Sequence, residues 1–326
     1  MEGFDPTDMT RFEDFHIINK VYKTVNGHAI DLDILYPKTL SVPRPSDPAS
    51  PVLLRFHGGG LVTGSSLFPL FFAPWLLQLI QRHSAVVVSP NYRLIPESTV
   101  QESVDDANDA LQWVRQELAK VMLDEAGIRV DIDRIMTAGD SAGGYLSLQV
   151  GLSHPDEIRA VTAAYPMVDM TSPYFTGQYT KKVFIAPETP KETVSAHLRE
   201  ARPRETKAII SSDPLLERGT LMFGLIQHGL FGDLFPTHQR GLFPLFRIED
   251  GARFPRGGVL VWHGKDDSVV PAEGSLKLRE AVSKHDPDLN FRLAIREGEH
   301  GFDQTADIDD QWAAEALSGC LTSWLQ

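Results

Sequence analysis

Residues 134–152 read RIMTAGDSAGGYLSLQVGL. A short apolar run at 134–138, strand-like, leads into Gly139-Asp140-Ser141-Ala142-Gly143-Gly144, and a helix-like run at 142–152 leads out. G-x-S-x-G between a strand and a helix is the pattern of a nucleophile elbow, where the serine occupies a strained turn and larger flanking side chains would clash. Both flanks here are glycine. Such a turn lifts the Ser141 hydroxyl above a sheet and aims the first amides of the following helix at the same point, where an anion can sit. The alternative is a tight turn with an incidental serine, which the strand-to-helix setting disfavours.

Outward from the elbow, short continuous apolar runs alternate with helical stretches, as buried parallel strands joined by crossover helices do. Strands are expected at 52–56, 85–90, 134–138, 160–164, 258–262 and 291–295, and helices at 103–123, 142–152, 272–284 and 309–325. The fold class is therefore α/β, a mostly parallel central sheet with helices on both faces. Before it, Ile30, Leu32 and Ile34 alternate with polar partners, and Asn26-Gly27 separates two strand-like runs, which predicts a hairpin. Four prolines at 43–51 mark an exposed connection. Asp105 and Asp106 are expected to begin the helix that follows the second buried strand.

Residues 169–255 contain no buried-strand run; they hold Pro-, Gly- and Phe-rich helical fragments such as LMFGLIQHGLFGDLFP at 221–236. They are either an ordinary helical subdomain or an apolar cap above the strand ends, where α/β sheets bind ligands. The expected organisation is residues 1–50 as an N-terminal segment and hairpin contributing to cap and sheet edge, 51–168 with 256–326 as the catalytic core, and 169–255 as a helical cap insertion.

Two further motifs carry chemistry. His57-Gly58-Gly59-Gly60 follows the strand at 52–56, and a glycine run marks close approach of backbone to something. The backbone N–H groups of Gly58 and Gly59, with that of Ala142, are candidate oxyanion donors. A phosphate loop is the competing assignment, but no Gly-Lys-Ser/Thr follows and the spacing fails G-x-G-x-x-G. A serine needs a base, and the base an orienting carboxylate, which after an elbow come in the order acid, then histidine. The run at 258–262 leads to Asp266-Asp267, of which Asp267 is the first choice and Asp266 the fallback; the run at 291–295 leads to Gly298-Glu299-His300-Gly301. Of the 11 histidines, order and position single out His300; His57, His263 and His285 are read as structural.

These motifs, with Asn91-Tyr92-Arg93-Leu94-Ile95-Pro96-Glu97, resemble the hormone-sensitive-lipase family of α/β-hydrolases, specifically over 50–165 and 255–326. The resemblance implies carboxylic-ester hydrolysis through an acyl-serine, with no metal or organic cofactor: Ser141 as nucleophile, His300 as base and then acid, Asp267 as orienter, and Gly58, Gly59 and Ala142 as oxyanion donors. Leu61 stands where many members place an aromatic, and Ile95 replaces the usual alanine, which leaves the acyl pocket's shape open.

Composition sets the outer bounds. The 326 residues suit one large α/β domain with an insertion, and 44 acidic against 31 basic residues give a charge of -13, which repels nucleic acid and anionic membrane surfaces. The one cysteine, Cys320, closes no intrachain disulfide, and the N-terminus lacks the pattern of a secretory signal, so a cytoplasmic protein is expected. The apolar run at 67–80 is too short and too rich in proline to span a bilayer. The expected partner is a small-to-medium apolar ester, lactone or thioester, without nucleic acid or stable membrane insertion, and a homodimer is compatible with the sequence. Acyl transfer or specialised-metabolite tailoring on the same triad is the alternative activity, and a non-catalytic receptor-like role the remote one.

Overall fold

The structure is a computed structural model that describes residues 5–40, 48–179, 181–183, 186–201 and 208–326. Most of the proline-rich connection expected at 43–51 lies outside these residues. The fold is built on an eight-stranded sheet of spatial order β1-β2-β4-β3-β5-β6-β7-β8, with β1 Phe15–Val25, β2 His28–Pro37, β3 Ser50–Phe56, β4 Val86–Pro90, β5 Val130–Gly139, β6 Ala160–Ala164, β7 Val259–Gly264 and β8 Phe291–Arg296. β1 and β2 form the hairpin turned at Asn26-Gly27, both with positive φ, and β2 runs antiparallel to β4; every later pairing is parallel. The six runs read from sequence are thus the six parallel strands, and the α/β class holds. Burial explains why they were visible: β3, β4, β6 and β7 are buried at every residue, so both faces had to be apolar.

Helices cover both faces: α1 Pro74–Arg82, α2 Val100–Trp113, α3 Ala119–Ala126, α4 Ala142–Ser153, α9 Glu273–His285 and α10 Gln311–Leu325. Between β6 and β7 the chain adds α5 Pro173–Thr176, α6 Lys191–Glu200, α7 Gly219–Gln227 and α8 Pro244–Glu249, none of which joins the sheet. α4 is buried from Ala142 to Leu152, which explains its lack of a polar face.

Two local expectations are corrected. The helix expected at 103–123 is two helices joined through a π-turn at Val114–Leu118, ending at left-handed Gly127. Nor do Asp105 and Asp106 begin it. Thr99 does, through a capping box in which its side chain accepts the Glu102 N–H and Glu102 answers on the Thr99 N–H. Asp106 is instead fully buried inside α2, where it receives Arg93 Nε at 2.8 Å, the Arg93 backbone N–H at 2.9 Å and Lys23 Nζ at 2.6 Å. α1 was legible only as an apolar run; Pro74 at its first turn starts it, and Leu76, Leu79 and Ile80 bury its inner face. Among the described residues no helix is long and apolar enough to cross a membrane.

Candidate active site

The parallel register sets the site. Phe56 pairs with Gly139, so the glycine run leaving β3 emerges beside the elbow leaving β5; Gly264 pairs with Arg296, so the acid loop emerges beside the histidine loop. Both pairs of loops leave the carboxyl edge of the sheet, where α/β folds place their ligands.

At the elbow Ser141 has φ 56 and ψ -115, outside the regions L-residues prefer, and it is almost fully buried. The turn persists because its surroundings over-determine it: the Ser141 N–H donates to the Ala164 carbonyl at 2.8 Å, and the Ser141 carbonyl accepts from Tyr145 and Met167. The glycines are required by space. A Cβ on Gly139 would lie 2.2 Å from the Gly143 carbonyl oxygen, and one on Gly143 only 2.0 Å from that of Phe56.

The carbonyls of the glycine run are occupied within the loop and by Tyr92. Tyr92 Oη donates to the His57 carbonyl at 2.8 Å, His57 Nδ1 meets the Gly58 carbonyl at 2.8 Å, and the Gly59 carbonyl takes the N–H groups of Val62 and Thr63. Among the described residues no protein acceptor takes the N–H of Gly58, Gly59 or Ala142. Gly58 packs on the elbow itself, since a Cβ there would lie 2.5 Å from Asp140 Oδ2. His57 is structural: fully buried, stacked on Tyr92 at 4.3 Å, and held neutral because burial, with the Arg55 charge adding to it, pushes its imidazole down to about 3.

Of the two acids left open, Asp267 lies inside and Asp266 is exposed. Asp267 Oδ1 accepts the N–H groups of Val269 and Val270 at 2.9 and 2.8 Å, and Oδ2 lies 2.7 Å from His300 Nδ1 and 3.2 Å from His263 Nε2. Burial alone would raise its carboxyl, but the neighbouring imidazoles and their hydrogen bonds outweigh it and hold it well below the usual carboxylate range. An ionised acceptor at Nδ1 places the His300 proton there and leaves Nε2 with the free lone pair.

His263 does more than fill space. Its Nε2 also meets the Val270 carbonyl at 2.8 Å, which can only accept, so Nε2 carries the proton and braces Asp267; Nδ1 receives the Ser275 hydroxyl at 2.8 Å. His285 lies in the last turn of α9. Glu299, not singled out by sequence, ties the two loops by accepting the Ser268 N–H at 2.8 Å and the His300 N–H at 3.4 Å. Tyr165, also missed, lays its ring 4.5 Å from that of His300, one residue beyond the Ala164 carbonyl that holds Ser141. Tyr165 therefore follows the residue that holds Ser141 and packs its ring on His300. Nothing in the sequence around Tyr165 announced it, because its role depends on a contact across strands.

The helical insertion reaches the glycine run. A Cβ on Gly60 would meet Met222 Cγ at 2.8 Å and Phe231 Cζ at 3.3 Å. Phe231 belongs to an aromatic group with Phe175 and Phe235, which continues to Phe243. Arg218 fastens the insertion to the core, donating to the carbonyls of Val62 and Ile95 and pairing with Glu97 of the NYRLIPE segment. Leu61 and Ile95, the two departures from the family pattern, are buried and joined by an Ile95 N–H to Leu61 carbonyl bond of 2.8 Å.

Comparison with known proteins agrees with this architecture. A family model described as alpha/beta hydrolase fold matches residues 53–217. The probable carboxylesterase M8 of a Phoma species is 25% identical over 321 residues, spanning 97% of this chain and 98% of that protein. The non-reducing polyketide synthase pkbA of Emericella nidulans is also 25% identical, over 94% of this chain but only 14% of its own length. Among solved structures, a Staphylococcus aureus protein of unknown function superposes with TM-score 0.62 at 18% identity, over 94% of this chain and 98% of that one. An esterase of Pyrobaculum calidifontis gives TM-score 0.58 at 21% identity, over 95% and 84%. With the family model spanning just over half of its length, the chain belongs to the α/β-hydrolase fold family, in its hormone-sensitive-lipase-like group.

Proposed function

We propose that this protein is a serine carboxylesterase that cleaves a small-to-medium apolar ester, lactone or thioester through an acyl-serine. The observation that carries this reading is the 2.7 Å contact of buried Asp267 with His300 Nδ1, set on adjoining loops beside the elbow that holds Ser141. His300 Nε2 takes the Ser141 hydroxyl proton as Oγ attacks the carbonyl carbon, and the resulting oxyanion rests on the N–H groups of Gly58, Gly59 and Ala142. Collapse breaks the bond to the leaving oxygen or sulfur, which receives the proton from His300. Water, deprotonated by the same Nε2, then attacks the acyl-serine; the bond to Ser141 Oγ breaks, Oγ takes the proton back from His300, and the carboxylic acid is released. Asp267, held ionised, orients the imidazole and balances its charge in both halves.

Hydrolysis of p-nitrophenyl esters tests this reading. Ser141→Ala should lower kcat by a factor on the order of 10⁶, and near-wild-type turnover in that variant would overturn it.

The full-length match to a probable carboxylesterase favours water as the acyl acceptor. Partial matches to several polyketide synthases favour a second, narrower reading, in which the acyl group is polyketide-sized and arrives as an ester or thioester. Product analysis with aryl thioesters in the presence of competing alcohols separates hydrolysis from transfer.

A further inference from the structure

Next to the elbow lies a cavity of about 30 Å³, room for one water. Arg55, Trp75, Asp140, Tyr165, Trp262 and Asp303 are among the residues that line it. The group is unusual for an interior. Asp303 is 2% exposed and accepts Trp75 Nε1 at 3.0 Å on one oxygen and Tyr165 Oη at 3.1 Å on the other. Two donors aimed at two oxygens suit a carboxylate, which only accepts. Asp140 Oδ1 lies 2.6 Å from Arg55 Nη2, and the guanidinium sits 4.2 Å from the centre of the Phe72 ring. Two buried donors that line the cavity, Arg55 Nη1 and Trp262 Nε1, have no acceptor among the described residues. A cavity water would take both and solvate the carboxylates.

The triad as proposed uses none of these groups, yet they converge on its base. Asp303 lies three residues beyond His300, and the ring of the tyrosine it grips packs 4.5 Å from the imidazole. Resting on His300 as the base of the proposed esterase, we propose that Asp303, next to the Asp140–Arg55 pair, is a positioning residue: a buried carboxylate that holds Tyr165 against the imidazole and favours its protonated form during turnover.

Among the described residues, charged and titratable groups come toward His300 from several elements. Asp267, backed by His263, comes from the β7 loop, Tyr165 from the end of β6, Asp140 with its partner Arg55 from β5 and β3, and Glu299 and Asp303 from the histidine's own loop. Burial pushes both Asp140 and Asp303 upward, Asp140 to about 6; Arg55 opposes this at Asp140, and the hydrogen bonds from Trp75 and Tyr165 oppose it at Asp303.

The test is an NMR titration of the ¹⁵N-labelled His300 ring, assigned with His300→Gln, in wild type, Asp303→Asn and Tyr165→Phe. Asp303→Asn removes the charge and keeps the shape. The His300 midpoint should fall by about half a unit or more. The acid limb of kcat/KM for a p-nitrophenyl ester should move to lower pH by the same amount, with kcat down about tenfold and KM little changed. Tyr165→Phe keeps the ring, removes one donor from Asp303, and should shift the midpoint the same way by less; it also serves should Asp303→Asn not fold. An unmoved His300 midpoint in the folded variants overturns the proposal. Absence of Ser141-dependent turnover in wild type, with the midpoint still moving, would instead overturn the esterase reading and leave the positioning role standing.

Discussion

At the scale of single residues, the site turns on which of two neighbouring acids faces inward. Asp267 is buried between two imidazoles and two backbone N–H groups, whereas Asp266 is exposed, its carboxylate facing the Gly298 N–H at 3.4 Å. Asp267→Asn should therefore lower kcat by a factor on the order of 10⁴, since the amide cannot fix the His300 tautomer or balance its charge. Asp266→Asn should leave kcat/KM near wild type, and steady-state kinetics on one ester checks both. Sequence could rank the two acids but not separate them, because both follow the same strand and only the turn at 264–268 decides which carboxyl meets the histidine. Ser141, the glycines and His300 were legible because each sits in a local pattern: an elbow, a glycine run, a glycine-flanked loop. Tyr165, Glu299 and Asp303 were not, since each acts through a contact between segments far apart in the chain; the bracing role of His263 was not because only the fold of the turn after β7 brings its Nε2 onto Asp267.

At the scale of elements, the elbow and the glycine run are one packed unit. Gly143→Ala would push a methyl group against the Phe56 carbonyl, whose register with Gly139 is fixed by the sheet, so it should cost about 3 kcal/mol or more in urea unfolding. Gly241→Ala, at a position with nothing within 4 Å, should change stability by less than about 0.5 kcal/mol. The glycine run also carries a pH signature through His57. Its folded imidazole is held near 3, against 6.5 when unfolded, so the stability it contributes is fully present above pH 6.5 and is lost as pH falls from there toward 3. Asp140 works in the opposite sense: with its carboxyl raised to about 6, its contribution is full below 3.8 and fades as pH rises through 6. Comparing wild type with His57→Phe isolates the first term. Between pH 7 and pH 5 the wild type should lose up to about 2 kcal/mol more than the variant, read from urea midpoints. Equal losses would mean that His57 titrates normally. The capping box Thr99-x-x-Glu102 was readable in principle, but two adjacent aspartates drew the helix start inward; Asp106 is there to neutralise Arg93 and Lys23, a tertiary need that outranks helix-end preference.

For the whole molecule, the order of the parallel strands does most to place the chemistry, because it delivers the loops after β3, β5, β7 and β8 to one edge. That much followed from the alternation of apolar runs and helices. The insertion between β6 and β7 was visible only as a break in rhythm, since its short helices are stabilised by aromatic packing and by Arg218 rather than by any pattern of their own. If Phe231 and Met222 roof the acyl site above Gly60, Phe231→Ala should favour longer acyl chains, raising kcat/KM for p-nitrophenyl octanoate relative to the butyrate. An unchanged ratio would place the acyl pocket elsewhere. The central claim is that Ser141 is a nucleophile activated by His300. Its most direct test is mass spectrometry of the protein after treatment with a fluorophosphonate: a single adduct on the Ser141 peptide, abolished in Ser141→Ala and strongly slowed in His300→Ala, is the predicted result, and an unmodified Ser141 in the folded wild-type protein would contradict it.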